Sequence, residues 1–163
     1  MGMQISQLNV RRSIYISTPQ RHVWSEFETF ERFQAWYSTG HELETYEPKT
    51  SGLIEQNVTI NGIEHPLGGV INVFAAEEEI SFSYNWFTER AWSVPTFITI
   101  RLSPCFEGTL VEHFHHGFDR LGDKAGRELQ RYEAGWTSHH LERLKNICEN
   151  QGLNEEFDLN PIE

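Results

Sequence analysis

Cysteine is scarce in this chain, with Cys105 and Cys148 the two among 163 residues. They stand far apart and without Cys-x-x-Cys spacing, so neither a disulfide framework nor a zinc knuckle can be built from them. Both read as small apolar fillers. Positive charge is also in short supply, since 13 Lys and Arg face 24 Asp and Glu, for a formal net charge of -11. A phosphate backbone would meet net repulsion, which sets nucleic acid aside as a partner. No stretch approaches the roughly 18 apolar residues of a membrane-spanning helix, so no span is expected. The opening MGMQISQLNVRR has no apolar signal core and the C-terminus has no lipidation box, so the expected location is the cytoplasm. Equally missing are a nucleophile elbow, a phosphate-cradling glycine loop, a dinucleotide fingerprint and a His-Glu-x-x-His pair. Those absences leave no cofactor, no metal and no catalytic residue to nominate.

What the chain does have is aromatic weight: five Trp, eleven Phe and five Tyr make up 13% of the residues. A chain of this length fits one domain with one core. We expect that domain over residues 1–150, with the acidic segment 151–163 as a poorly ordered tail outside the core. Arg12, Ile14 and Ile16 alternate with Ser13, Tyr15 and Ser17 as in a half-buried strand. Thr18-Pro19 then predicts a helix start with the Thr18 hydroxyl as cap, followed by Val23, Trp24 and Phe27. Thr29 predicts the cap of a second short helix carrying Phe30, Phe33 and Trp36 on one side.

From His41 to Phe118 the pattern turns to short strands. Asn61-Gly62 is the best hairpin signal. Gly68-Gly69 reads as a turn, and Glu77-Glu78-Glu79 as a solvated hairpin tip. Ile80, Phe82, Tyr84 and Trp86 share one strand face, as do Ile98, Ile100 and Leu102. The last strand sets Val111, His113 and His115 against Glu112, Phe114 and His116. A final helix is predicted from Asp123 to about Asn150, carrying Leu129, Tyr132, Trp136, Leu141, Leu144 and Cys148. The order is strand, two short helices, a block of strands, long helix.

That order and five local motifs resemble the START-like superfamily, and within it the family named for the activator of heat-shock-protein-ninety ATPase. The motifs are Thr18-Pro19 with Val23-Trp24; Phe33 to Tyr37; Gly69 to Val73 running on to Ile80 to Trp86; Gly108-Thr109 through His115 to Phe118; and Gly135-Trp136 with Leu141, Leu144 and Lys145. The resemblance spans about Arg11 to Glu149. It implies an α+β helix-grip fold, a curved antiparallel sheet of about six to seven strands around a long C-terminal helix. It also implies a cavity for a small, largely apolar molecule. One departure stands out. Leu141 lies five residues beyond Trp136, where the family pattern has a Leu about one turn on, so the two cannot share a face of a regular helix. Either His140 takes the inward place or a single wide turn absorbs the extra residue.

A cavity between sheet and helix would be lined by Trp36, Tyr84, Trp86, His113, His115, Tyr132 and Trp136, whose polar tips suit a ligand that is apolar with one polar end. His113 and His115, with His139 or His140 opposite, could be imagined around zinc, but strand neighbours stand about 6.5 to 7 Å apart and no metal signature supports them. Three functions remain: binding a lipid, polyketide or aromatic metabolite; a cyclase or hydro-lyase using His115 with Tyr84 or Tyr132; and a co-chaperone-like module that binds a chaperone or other protein. The chain would act as a monomer or homodimer.

Overall fold

The computed structural model describes residues 2–159, with side chains described for residues 2–150. The tail expected over 151–163 lies outside the described residues apart from the backbone of the last helix. The elements are β1 (Asn9–Ile16), α1 (Gln20–Trp24), a 3-10 turn (Ser25–Phe27), α2 (Phe30–Tyr37), β2 (Glu42–Tyr46), β3 (Leu53–Ile60) and β4 (Ile63–Ala75). There follow β5 (Glu79–Trp86), β6 (Thr96–Cys105), β7 (Gly108–His116), a second 3-10 segment (Phe118–Lys124), α3 (Ala125–Gly135) and α4 (His139–Leu159). The strands form one curved seven-stranded antiparallel sheet in the order β1-β7-β6-β5-β4-β3-β2. This is the expected α+β helix-grip architecture.

Period-two burial shows which face holds the core. Ile80, Phe82 and Tyr84 on β5, Ile98, Ile100 and Leu102 on β6, and Val111, His113 and His115 on β7 are all buried. Phe27, Phe33, Trp36 and Tyr37 pack ring against ring beside that face, with centroids 4.7 to 5.9 Å apart. Leu141, Leu144 and Cys148 close the core from α4. Asn61 and Gly62 both adopt positive φ between the paired Ile60 and Ile63, the geometry of a tight hairpin turn that matches strand twist. Thr29 caps α2 by accepting from the Arg32 amide at 3.2 Å.

Four local readings are corrected. Thr18 makes no side-chain cap, because Pro19 occupies the cap position and the buried Thr18 carbonyl instead accepts from Thr109 Oγ1 at 2.8 Å. Gly68 and Gly69 form no turn but lie inside β4, paired with Glu55 and Ile54 on β3. A Cβ at Gly69 would stand 2.2 Å from the Ser83 carbonyl oxygen of β5, so glycine here serves close strand approach. Glu79 leaves the exposed tip formed by Glu77 and Glu78, is buried, and pairs with Arg101 at 2.7 Å.

The fourth concerns the last helix, which is interrupted. Trp136 has extended backbone (φ -79°, ψ 113°), α3 ends at Gly135, and α4 starts afresh at His139. Arg12 of β1 caps the end of α3, its guanidinium donating to the carbonyls of Glu133 at 2.9 Å and Trp136 at 3.1 Å, where the helix dipole favours a cation. Because of the break, His140 and Leu141 are both buried. The inward His140 considered from the spacing is therefore present, and a break replaces the wide turn.

Gly69→Ala should lower stability by about 1 to 3 kcal/mol through strand overpacking, read from urea unfolding; an unchanged midpoint would mean that the β4–β5 approach is not tight.

Candidate functional site

Two side-chain groups meet between the sheet and the helix break. The first centres on His115. The Trp136 indole N–H, which can only donate, gives a hydrogen bond to His115 Nδ1 at 2.9 Å. The imidazole proton therefore sits on Nε2, which donates to Thr96 Oγ1 at 2.7 Å. The Thr96 hydroxyl in turn donates to the Tyr84 carbonyl at 3.2 Å. Around this chain the rings close in, with Phe118, Tyr132 and Tyr84 at 4.6, 4.7 and 4.8 Å from the His115 ring and Trp92 at 5.9 Å from Tyr132. Burial holds His115 well below the ordinary imidazole pKa, with His116 adding to the effect. Burial also raises Tyr84, aided by Tyr132, and pushes Tyr132 up to about 12 against the opposing influence of neighbouring Tyr84 and Trp86.

The second group is polar and unpaired. His113 has both ring nitrogens buried without a partner, as do Tyr37 Oη, Gln56 Oε1, His140 Nε2 and both nitrogens of His41. His113 and His140 face each other with centroids 4.8 Å apart, and Tyr37 lies 5.0 Å from His41 and 6.5 Å from His140. Gln56 stands beside the Tyr37 hydroxyl without a well-formed hydrogen bond. Leaving one such buried group unsatisfied costs about 1 to 3 kcal/mol, so each of these atoms calls for a partner from outside the protein, an ordered water or a ligand atom. Burial lowers His140 and His41 to about 4 and His113 well below its usual range, with His140, His115 and Arg12 adding repulsion at His113.

The seven residues nominated from sequence divide between these settings. Tyr84, His115, Tyr132 and Trp136 form the first group, and His113 belongs to the second while lying 4.5 Å from the Trp136 ring. Trp36 is fully buried among Phe27, Phe33 and Tyr37, and its indole donates to the Glu26 carbonyl at 3.1 Å. Trp86 sits half-buried at the rim, edge-on to His65 and beneath the Arg90 guanidinium. Glu112 and His116 project to the opposite sheet face, where Glu112 pairs with Arg11 at 2.8 Å and His116 bonds Thr99 at 2.9 Å. Among the described residues no three His, Cys, Asp or Glu side chains are grouped to hold a metal ion, and no helix is long and apolar enough to cross a membrane.

Sequence reasoning missed Tyr37, His41, Gln56, Trp92 and Thr96. Gln56 was findable, because it alternates with Ile54 on the buried face of β3. Trp92 and His41 lie outside regular elements, where no periodicity marks them.

A seven-stranded sheet closed against C-terminal helices, with buried polar side chains between them, defines a helix-grip protein. The sequence profile described as Activator of Hsp90 ATPase homolog 1-like protein matches residues 17–149, and the chain belongs to that family. Among solved structures it resembles CV1439 from Chromobacterium violaceum, 17% identical with a TM-score of 0.67, covering 88% of this chain and 99% of that one. It also resembles Ms6760 from Mycobacterium smegmatis (9% identical, TM-score 0.69, 89% and 95% covered). A third is the Aha1 dimer from Colwellia psychrerythraea (14% identical, TM-score 0.57, 86% and 96% covered). At these identities the likeness establishes the fold. No curated protein matches the sequence.

His113, His115 and His140 are neutral in the fold, whereas in the unfolded chain each takes up a proton near pH 6.5. The unfolded state thus gains protons as pH falls, so stability is full above about pH 7 and declines below it, by up to about 1.4 kcal/mol per pH unit for each histidine. Urea unfolding at pH 7.5 and 5.5 should show this loss, and His113→Gln should reduce its slope by about one proton. A pH-independent midpoint over that interval would contradict the burial of neutral imidazoles.

Proposed function

We propose that this protein binds a small, largely apolar ligand, such as a lipid, polyketide or aromatic metabolite, between the sheet and the interrupted C-terminal helix. One observation carries the reading: aromatic rings with polar tips, Tyr84, Trp92, Tyr132 and Trp136, adjoin a buried set of polar atoms that have no partner within the protein. An apolar wall with a few convergent polar groups is the usual make-up of a small-molecule site. Tyr84, Tyr132 and Trp86 supply the apolar wall and His113 its polar contact, while Trp36, His115 and Trp136 fix the shape.

The engagement of both His115 nitrogens weighs against the enzyme alternative that uses it with Tyr84 or Tyr132, since neither nitrogen is free to move a substrate proton. The co-chaperone-like alternative rests on the family's description. The proposal places the protein in the cytoplasm as a monomer or a homodimer; the Colwellia relative is described as a dimer.

Thermal unfolding against a panel of fatty acids, aromatic acids and polycyclic phenols tests the reading. A true ligand at a hundred times its Kd adds about 2.7 kcal/mol of stability, a rise in Tm of roughly 5 to 10 °C for a chain of this size. No rise with any apolar compound would overturn the proposal.

A further inference from the structure

The unpaired polar group is more specific than a generic pocket end. Tyr37 from α2, His41 from the segment before β2, Gln56 from β3, His113 from β7 and His140 from α4 come from five separate parts of the chain. Tyr37, Gln56, His113 and His140 are buried almost completely, with exposures of 0%, 2%, 0% and 1%. Four elements directing nearly inaccessible polar tips into one region, without bonding one another, is an arrangement that hydrophobic packing alone does not require.

We infer that this cluster is the recognition site for the carboxylate of an apolar organic acid, with the hydrocarbon part lying toward Tyr84, Tyr132 and Trp86. The inference rests on the ligand-binding reading above and specifies its ligand class.

The sign of the local charge selects an acid. The charged or titratable groups that act on His113 are His140, His115 and Arg12, and those on His140 are His41, His139 and Arg12. All are cationic or can become so, and the Tyr37 hydroxyl at the same place stays protonated. No carboxylate is among these influences. Arg12 is paired with the Glu133 carboxylate at 3.5 Å, but no carboxylate acts on the imidazoles themselves, so an ammonium finds no counter-charge among them, whereas a carboxylate meets hydrogen-bond donors. Its acceptor oxygens match the Tyr37 O–H and the imidazole N–H groups.

Proton uptake accompanies binding. In the free protein burial is the main reason that His113 and His140 stay neutral, and repulsion from the neighbouring imidazoles and from Arg12 adds to it. An entering carboxylate supplies the counter-charge that burial withholds, so one imidazole takes a proton from solvent and becomes a second donor. The bound state is then a carboxylate facing an imidazolium.

Isothermal titration calorimetry at pH 7.5 tests this with two matched pairs, octanoate against 1-octanol and 2-naphthoate against 2-naphthol, in phosphate and in Tris. The acid of at least one pair should bind about tenfold or more tightly than its neutral partner. Its heat should differ between the buffers by an amount equivalent to about one proton taken up. His113→Phe and, independently, His140→Gln should abolish the preference, bringing the acid's affinity to within about twofold of its neutral partner's in the same variant; the second variant serves if the first does not fold. Equal binding of acid and neutral partner, binding without proton uptake, or a preference that survives both substitutions would overturn the carboxylate assignment and leave the apolar-ligand reading standing. Failure of all four compounds to bind would remove this inference, and failure of the wider panel as well would remove the reading beneath it.

Discussion

The chain of hydrogen bonds from Trp136 through His115 and Thr96 to the Tyr84 carbonyl ties the C-terminal helices to three neighbouring strands. Its direction is set by chemistry, because an indole can donate and not accept. Once Trp136 donates, the His115 tautomer and the Thr96 hydroxyl orientation both follow. The same tryptophan has extended backbone, and Arg12 grips its carbonyl from β1. The point at which the last helix is broken is thus the point at which it is fastened to the sheet. This break turns both His140 and Leu141 inward, so the polar cluster and the apolar core on α4 depend on it.

Much of the fold was legible because its signals were local. Alternation in β5, β6 and β7 identified the buried face of each strand, and the positive-φ turn at Asn61-Gly62 was written in the residue types. The capping Thr29 was legible for the same reason. What escaped was set by tertiary contact. Gly68-Gly69 has the composition of a turn, yet the approach of Ser83 from β5 demands glycine within a strand. Thr18 could cap a helix, but its neighbour Thr109 on β7 fixes it differently. The helix from Asp123 looked continuous because Trp136, Thr137 and Ser138 can each occur in a helix; the cap that Arg12 provides comes from 124 residues away.

The candidate site shows the same division. Tyr84, His113, His115, Tyr132 and Trp136 were nominated from strand and helix period, and they do meet, but period alone could not separate roles. His113 and His115 are two residues apart on one strand and buried alike, yet one has both nitrogens bonded and the other has neither. The difference lies in the neighbours: Thr96 and Trp136 flank His115, whereas His113 faces another imidazole. His115 therefore holds the architecture, and His113 makes no side-chain hydrogen bond within the protein.

The central claim is that His115 is locked as a single neutral tautomer that fastens the helix break to the sheet. Nitrogen NMR of the histidine side chains, followed from about pH 7.5 to about pH 5.5, measures this directly, because the two ring nitrogens report protonation separately. The account predicts that His115 remains the Nε2–H tautomer throughout, with Nδ1 unprotonated. An Nδ1–H form, or titration with an ordinary midpoint near 6.5, would contradict it.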